Sequence, residues 1–174
     1  MEFTKITWQQ LEKDCIALAK KINGTKCDEI VCISRGGLVV SRILSDLLDV
    51  KISNITIESY QNAKQEKEPV ITQFLPETYK NETILVVDEV SDTGKTFERA
   101  VSYLKTLPIK KIYTAAPYIK SHTTFIPDFW EVTLDTWIIY PYEIRETKET
   151  FMKLFPQEEA VKRLIELEIT DWEL

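Results

Sequence analysis

Residues Ile84 to Thr96 read ILVVDEVSDTGKT. Thr83 to Val87 reads as a strand, and its run Ile84-Leu85-Val86-Val87 is apolar without alternation, the pattern of a strand covered on both faces. It ends in Asp88-Glu89, passes through a loop containing Gly94, and continues from Thr96 to Leu104 with helical spacing. An earlier stretch repeats the plan. Glu29 to Ile33 is a β-branched apolar run, Ser34-Arg35-Gly36-Gly37 interrupts it, and Leu38 to Leu48 has helical periodicity. Outward from these two units, Thr7 opens a capping-box pattern before a helix through Ile22, and Val50 to Ile57 and Lys111 to Ile119 read as strands. Strands alternating with helices predict an α/β fold with a mostly parallel central sheet flanked by helices.

The chain has 174 residues, enough for one domain with its own core, so residues 1–174 are expected to form a single unit. No apolar run approaches the roughly 20 residues that cross a bilayer, and the N-terminal stretch lacks an apolar signal core, so a cytoplasmic protein without membrane contact is expected. A net charge of -6 disfavours nonspecific nucleic-acid binding, which draws affinity from a basic surface. Cys15, Cys27 and Cys32 form no C-x-x-C pair and His122 is the single histidine, so neither a disulfide framework nor a zinc site is indicated. Two stretches break the rhythm. Residues 60–80 are polar and weakly periodic, long enough for a mobile functional loop. The tail 147–174 contains Glu158 to Leu167, an amphipathic helix that could pack on the domain or on a second subunit.

The chemistry concentrates where the glycines do. Of 4 glycines, Gly36 and Gly37 open one strand-to-helix loop and Gly94 the other. Glycine lets a ligand approach the backbone, and a helix N-terminus attracts anions, so these are candidate phosphate loops as well as ordinary turns. Asp88 and Glu89 accept hydrogen bonds only, which suits the two donors of a ribose diol, while the hydroxyls and amides of residues 92–96 suit a phosphate. Solvated strand-end charges are the simpler alternative. Gly94-Lys95-Thr96 does not complete a P-loop, because Glu89 stands where that motif needs glycine, and no G-x-G-x-x-G follows either strand.

ILVVDEVSDTGKT resembles the 13-residue donor motif of type I phosphoribosyltransferases, with Asp88, Glu89, Asp92, Thr93, Gly94 and Thr96 matching and Glu89 replacing the commoner aspartate. Further segments resemble the 6-oxopurine branch, in particular the short xanthine-guanine and hypoxanthine-guanine enzymes. Ser34-Arg35-Gly36-Gly37 resembles its pyrophosphate loop, often built around a non-proline cis peptide, and Ser59-Tyr60 resembles the start of its flexible catalytic loop. Lys120, eight residues before Asp128, resembles the lysine that reads the purine 6-oxygen, although Ser121 replaces the usual proline. Trp137 and Ile138 resemble the pair that flanks the base in a hood of about residues 120–146, and Glu143 falls near an acid that approaches magnesium.

The resemblance implies transfer of 5-phosphoribose from 5-phosphoribosyl-1-pyrophosphate (PRPP) to a 6-oxopurine (guanine, xanthine or hypoxanthine), giving a nucleoside monophosphate and pyrophosphate. It implies Mg2+ held in part by Asp88, Glu89 and Glu143. Asp92 and Arg35 are the implied catalytic groups, Asp92 facing purine N7 and Arg35 serving the leaving pyrophosphate. Thr93, Gly94, Lys95 and Thr96 join Asp92 around the 5-phosphate. A homodimer or homotetramer is usual for the family. The alternatives are a regulator on the same fold that senses PRPP or a nucleotide without turning it over, and an enzyme acting on a pyrimidine or another acceptor.

Overall fold

The computed structural model describes residues 2–61, 67–75 and 82–169. They divide into two compact units, residues 12–135 and residues 1–11 with 136–174, the division falling within the first long helix. Among the described residues no helix is long and apolar enough to cross a membrane.

The larger unit is a seven-stranded sheet. Its strands are β2 (Glu29–Ser34), β3 (Lys51–Gln61), β4 (Lys67–Gln73), β5 (Thr83–Val87), β6 (Val90–Ser91), β7 (Lys111–Ile119) and β8 (Phe129–Thr133). The order is β4-β3-β2-β5-β7, and both β6 and β8 pair with β7. Every pair is parallel except β3 with β4. All residues of β5 are buried, which is why its sequence is unbroken apolar. Helices α2 (Leu38–Leu48) and α3 (Lys95–Leu104) carry the crossovers. Phe97, Ala100 and Leu104 of α3 pack with Val31, Ile33, Ile55, Ile84 and Val86 in one core cluster. Residues of opposite parity serve α2, whose Ser41 hydroxyl meets the Cys32 thiol. Helix α1 (Trp8–Ile22) starts as its sequence indicates, the Gln10 N–H donating to Thr7 Oγ1 at 3.1 Å.

The smaller unit joins the two ends of the chain. Strand β1 (Phe3–Lys5) pairs in parallel with β9 (Trp137–Ile139), in the register Phe3 to Trp137 and Lys5 to Ile139. Helices α4 (Ile144–Leu154) and α5 (Gln157–Glu166) close it around Ile139, Phe151, Ala160, Leu164 and Ile169. Phe3 adds an aromatic contact, its ring centroid 4.8 Å from that of Phe151. The tail after Thr147 thus builds a core with the N-terminal strand.

The stretch 60–80 departs from the expected loop. Its middle is β4, antiparallel to β3, while residues 62–66 and 76–80 lie outside the described residues. Among the residues of β4 whose burial is described, Ile71 alone is buried, so hydrophobic alternation is nearly absent and backbone pairing to β3 makes the strand. Pro69 is tolerated because β4 ends the sheet.

Candidate active site

Strands β2 and β5 are neighbours, but the chain leaves β2 toward β3 and leaves β5 toward β7. Crossovers diverging from adjacent parallel strands open a crevice at their carboxyl ends, the usual ligand position in such sheets. Both glycine loops start there.

The first loop runs from Ser34 to Gly37, and its Ser34–Arg35 peptide is cis. Gly37 lies against strand β5: a Cβ on it would stand 2.6 Å from the Val87 carbonyl oxygen, 2.9 Å from that of Ile33 and 3.1 Å from Asp88 Cα. A Cβ on Gly36 would overlap the Glu89 carboxylate, 1.8 Å from Oε2. Gly37 is therefore required by close backbone packing, whereas a side chain at Gly36 would displace the Glu89 carboxylate. Gly37→Ala is expected to cost about 1–3 kcal/mol by overpacking between backbone atoms that cannot rotate away. In thermal melts this lowers the midpoint by roughly 2–10 °C; an unchanged midpoint would contradict the packing.

The second loop carries the acids. Asp88 is buried at 7% exposure, its Oδ1 accepting the Glu89 N–H at 3.0 Å. Burial, then the neighbouring Glu89 charge, push the Asp88 carboxyl well above the usual carboxylate range. Two oxygen-only side chains held this closely favour something that supplies donors or positive charge. Asp92 and Thr93 are exposed beyond them. Gly94 adopts φ 89° as N-cap of α3, with Phe125 N only 2.5 Å from where a Cβ would stand, so no other residue fits here.

Residues 120–125, following β7, clamp this loop. Lys120 N–H donates to the Ser91 carbonyl at 3.0 Å and Thr124 N–H to that of Thr93 at 3.1 Å. Ser91 Oγ donates to the Phe125 carbonyl at 2.7 Å. Lys120 is buried at 8% exposure; desolvation lowers its pKa, opposed by the charges of Asp92 and Asp135. Asp135 accepts the Ser121 N–H at 2.8 Å, and that backbone bond, ahead of a Ser121 side-chain bond, holds it below the usual carboxylate range. Asp128 is a structural clasp, taking both Thr114 N–H and Thr114 Oγ1–H at 2.8 Å where β8 begins.

The larger unit thus brings together Ser34, Arg35, Gly36, Gly37, Asp88, Glu89, residues Asp92 to Thr96, and Lys120. Trp137, Ile138 and Glu143 belong to the other unit: Trp137 is 47% exposed on β9, Ile138 is buried, and Glu143 is the N-cap of α4. Only the backbone of Ser59 and Tyr60 is described, pairing with Pro69 and Glu68 at the end of β3. One polar neighbour escaped the sequence reading. His122 Nε2 stands 3.0 Å from Asp92 Oδ1, a pairing between residues 30 apart that spacing alone could not reveal.

Sheet order and the two loops at its switch point define the type I phosphoribosyltransferase fold. Residues 6–146 match the family model of the phosphoribosyl transferase domain, and the chain belongs to that family. It is 30% identical over 149 residues to a xanthine-guanine phosphoribosyltransferase of Cereibacter sphaeroides, across 80% of this chain and 86% of that one. Among solved structures, a purine phosphoribosyltransferase from Pyrococcus horikoshii superposes with a TM-score of 0.75 at 34% identity, covering 82% of this chain and 94% of the other. A Neisseria gonorrhoeae protein with bound ppGpp superposes with a TM-score of 0.74 at 28% identity, covering 82% and 90%.

Proposed function

We propose that this phosphoribosyltransferase transfers 5-phosphoribose from PRPP to N9 of a 6-oxopurine, releasing pyrophosphate. The carrying observation is the acid pair Asp88-Glu89 set between two glycine loops, with buried Lys120 just past the end of the neighbouring strand β7. Likeness to enzymes named for xanthine, guanine and purines supports the acceptor class.

In this reading Asp88 and Glu89 accept hydrogen bonds from the ribose 2- and 3-hydroxyls. The 5-phosphate lies on residues 93–96 at the N-terminus of α3, where amides and the helix dipole favour an anion. The loop 34–37 and the Arg35 side chain receive the pyrophosphate, whose negative charge grows as its bond to C1 breaks. Asp92 accepts a proton or hydrogen bond at purine N7 as N9 becomes the nucleophile. Asp88 and Glu89 supply only oxygen ligands, the donor set of a hard divalent cation, and fit Mg2+. When bound, Mg2+ would neutralise charge on the diphosphate. The roles of Trp137 and Ile138 toward the base, and of Glu143 toward the metal, rest on the sequence motifs.

Lys120 is a donor only, so it pairs with a 6-oxo group and meets the adenine amino group donor to donor. Pyrophosphate release is the direct assay, with PRPP, Mg2+ and guanine, xanthine, hypoxanthine or adenine in turn. At least one 6-oxopurine is expected to turn over, with adenine lower in kcat/KM by about 100-fold or more. Comparable rates with adenine would refute the role of Lys120. Retained PRPP binding without release from any base would favour a sensor instead.

A further inference from the structure

The turn after β7 does more than close over the second loop. The backbone bonds of Lys120 and Thr124, with the Ser91 hydroxyl bond, fix residues 120–125 against residues 91–94. Thr124 Oγ1 contacts Glu98 of α3 at 2.9 Å, tying the same turn to the helix start. His122 stands at the free edge of this clamp, with its ring beside the one carboxylate proposed to meet the base. A carboxylate accepts only, so the proton between them is carried by Nε2. Asp92 bonds the imidazole, and the charges of His122 and Lys120 both act on Asp135.

We propose that His122 is a positioning residue for Asp92: its Nε2–H, 3.0 Å from Oδ1, holds the carboxylate in the orientation that meets purine N7. This rests on the proposed role of Asp92. The bond orients the Asp92 carboxylate and leaves its second oxygen to accept. Removing a spacer histidine on an exposed turn would leave turnover unchanged.

The test uses His122→Ala and His122→Gln in the full chain, the glutamine retaining an N–H donor that never becomes charged. At pH 8, His122→Ala should lose about tenfold in kcat, with the KM for PRPP within about twofold, because orientation rather than donor binding is removed. His122→Gln should recover to within about twofold of the parent. The proposal is overturned if His122→Ala matches the parent in kcat, or if His122→Gln is as slow as His122→Ala. An independent reading needs no catalysis. His122 is the single histidine, so its imidazole proton resonance is identifiable without further substitution. That signal should move in Asp92→Asn and stay in place in the remote Asp46→Asn; no movement in Asp92→Asn would also overturn the proposal. If the parent releases no pyrophosphate with any base, the transferase reading fails and this role fails with it, whereas the resonance still reports whether the side chains pair.

Discussion

Asp92→Asn should reduce kcat by about 100-fold or more while leaving the melting midpoint in place. The two halves of that expectation have separate causes. Asparagine has nearly the same shape but no basicity, so whatever proton Asp92 accepts from the purine has no destination. The side chain is 62% exposed and its contact with His122 lies at the surface, where such a pair contributes on the order of 0–1 kcal/mol. The KM for PRPP should change by less than about threefold, since the backbone of the 5-phosphate loop and the residues assigned to the ribose diol and pyrophosphate are left in place. Steady-state kinetics with a 6-oxopurine, alongside a thermal melt, separates these quantities. Near-parent turnover in a folded protein would remove Asp92 from the chemistry.

Asp88→Asn is expected to act in opposite directions on stability and on function. The folded protein holds the Asp88 carboxyl above its unfolded pKa, because burial and Glu89 disfavour its charge. The sign follows: the folded state binds the extra proton, so the cost is absent well below the unfolded pKa and grows as pH rises toward the folded value. Removing the carboxylate therefore stabilises the ligand-free protein, with a larger rise in melting midpoint at pH 8 than at pH 5. Donor binding should weaken by about 10- to 100-fold, because a charge-assisted bond to the diol is lost. Thermal melts at the two pH values and titration with PRPP give both signs; a destabilised variant would show that Asp88 is not under strain from its own charge. A carboxylate kept at a cost in stability is characteristic of groups retained for binding.

The elements legible in the sequence were those whose burial leaves a simple pattern. β5, α2 and β7 appear with the bounds their apolar runs indicate, and α3 begins one residue earlier than its periodicity shows. β1 and β9 carry no such mark, because each has three residues and its partner lies more than a hundred residues away. α4 buries only Thr147 and Phe151, too few to write a stripe into IRETKETFMKL. The division into two units was equally hidden, since one of them is assembled from both ends of the chain. Within the candidate site, the acid pair and glycine loops were legible because their chemistry is consecutive. His122 was not, since nothing within its own segment points to Asp92.

Strand β1 also sets an order of events during synthesis. Phe3 to Lys5 leave the ribosome before the strands of the larger sheet, and their partners Trp137 to Ile139 follow 134 positions later. At roughly 5–20 residues per second, β1 waits on the order of ten seconds for its ladder, and Phe3 waits longer for Phe151 and Phe155. The sheet carrying the two glycine loops has by then been translated in full. The nascent chain can therefore hold both glycine loops before it holds Trp137, and an arrested or truncated product would keep the loops without the strand that pairs with β1.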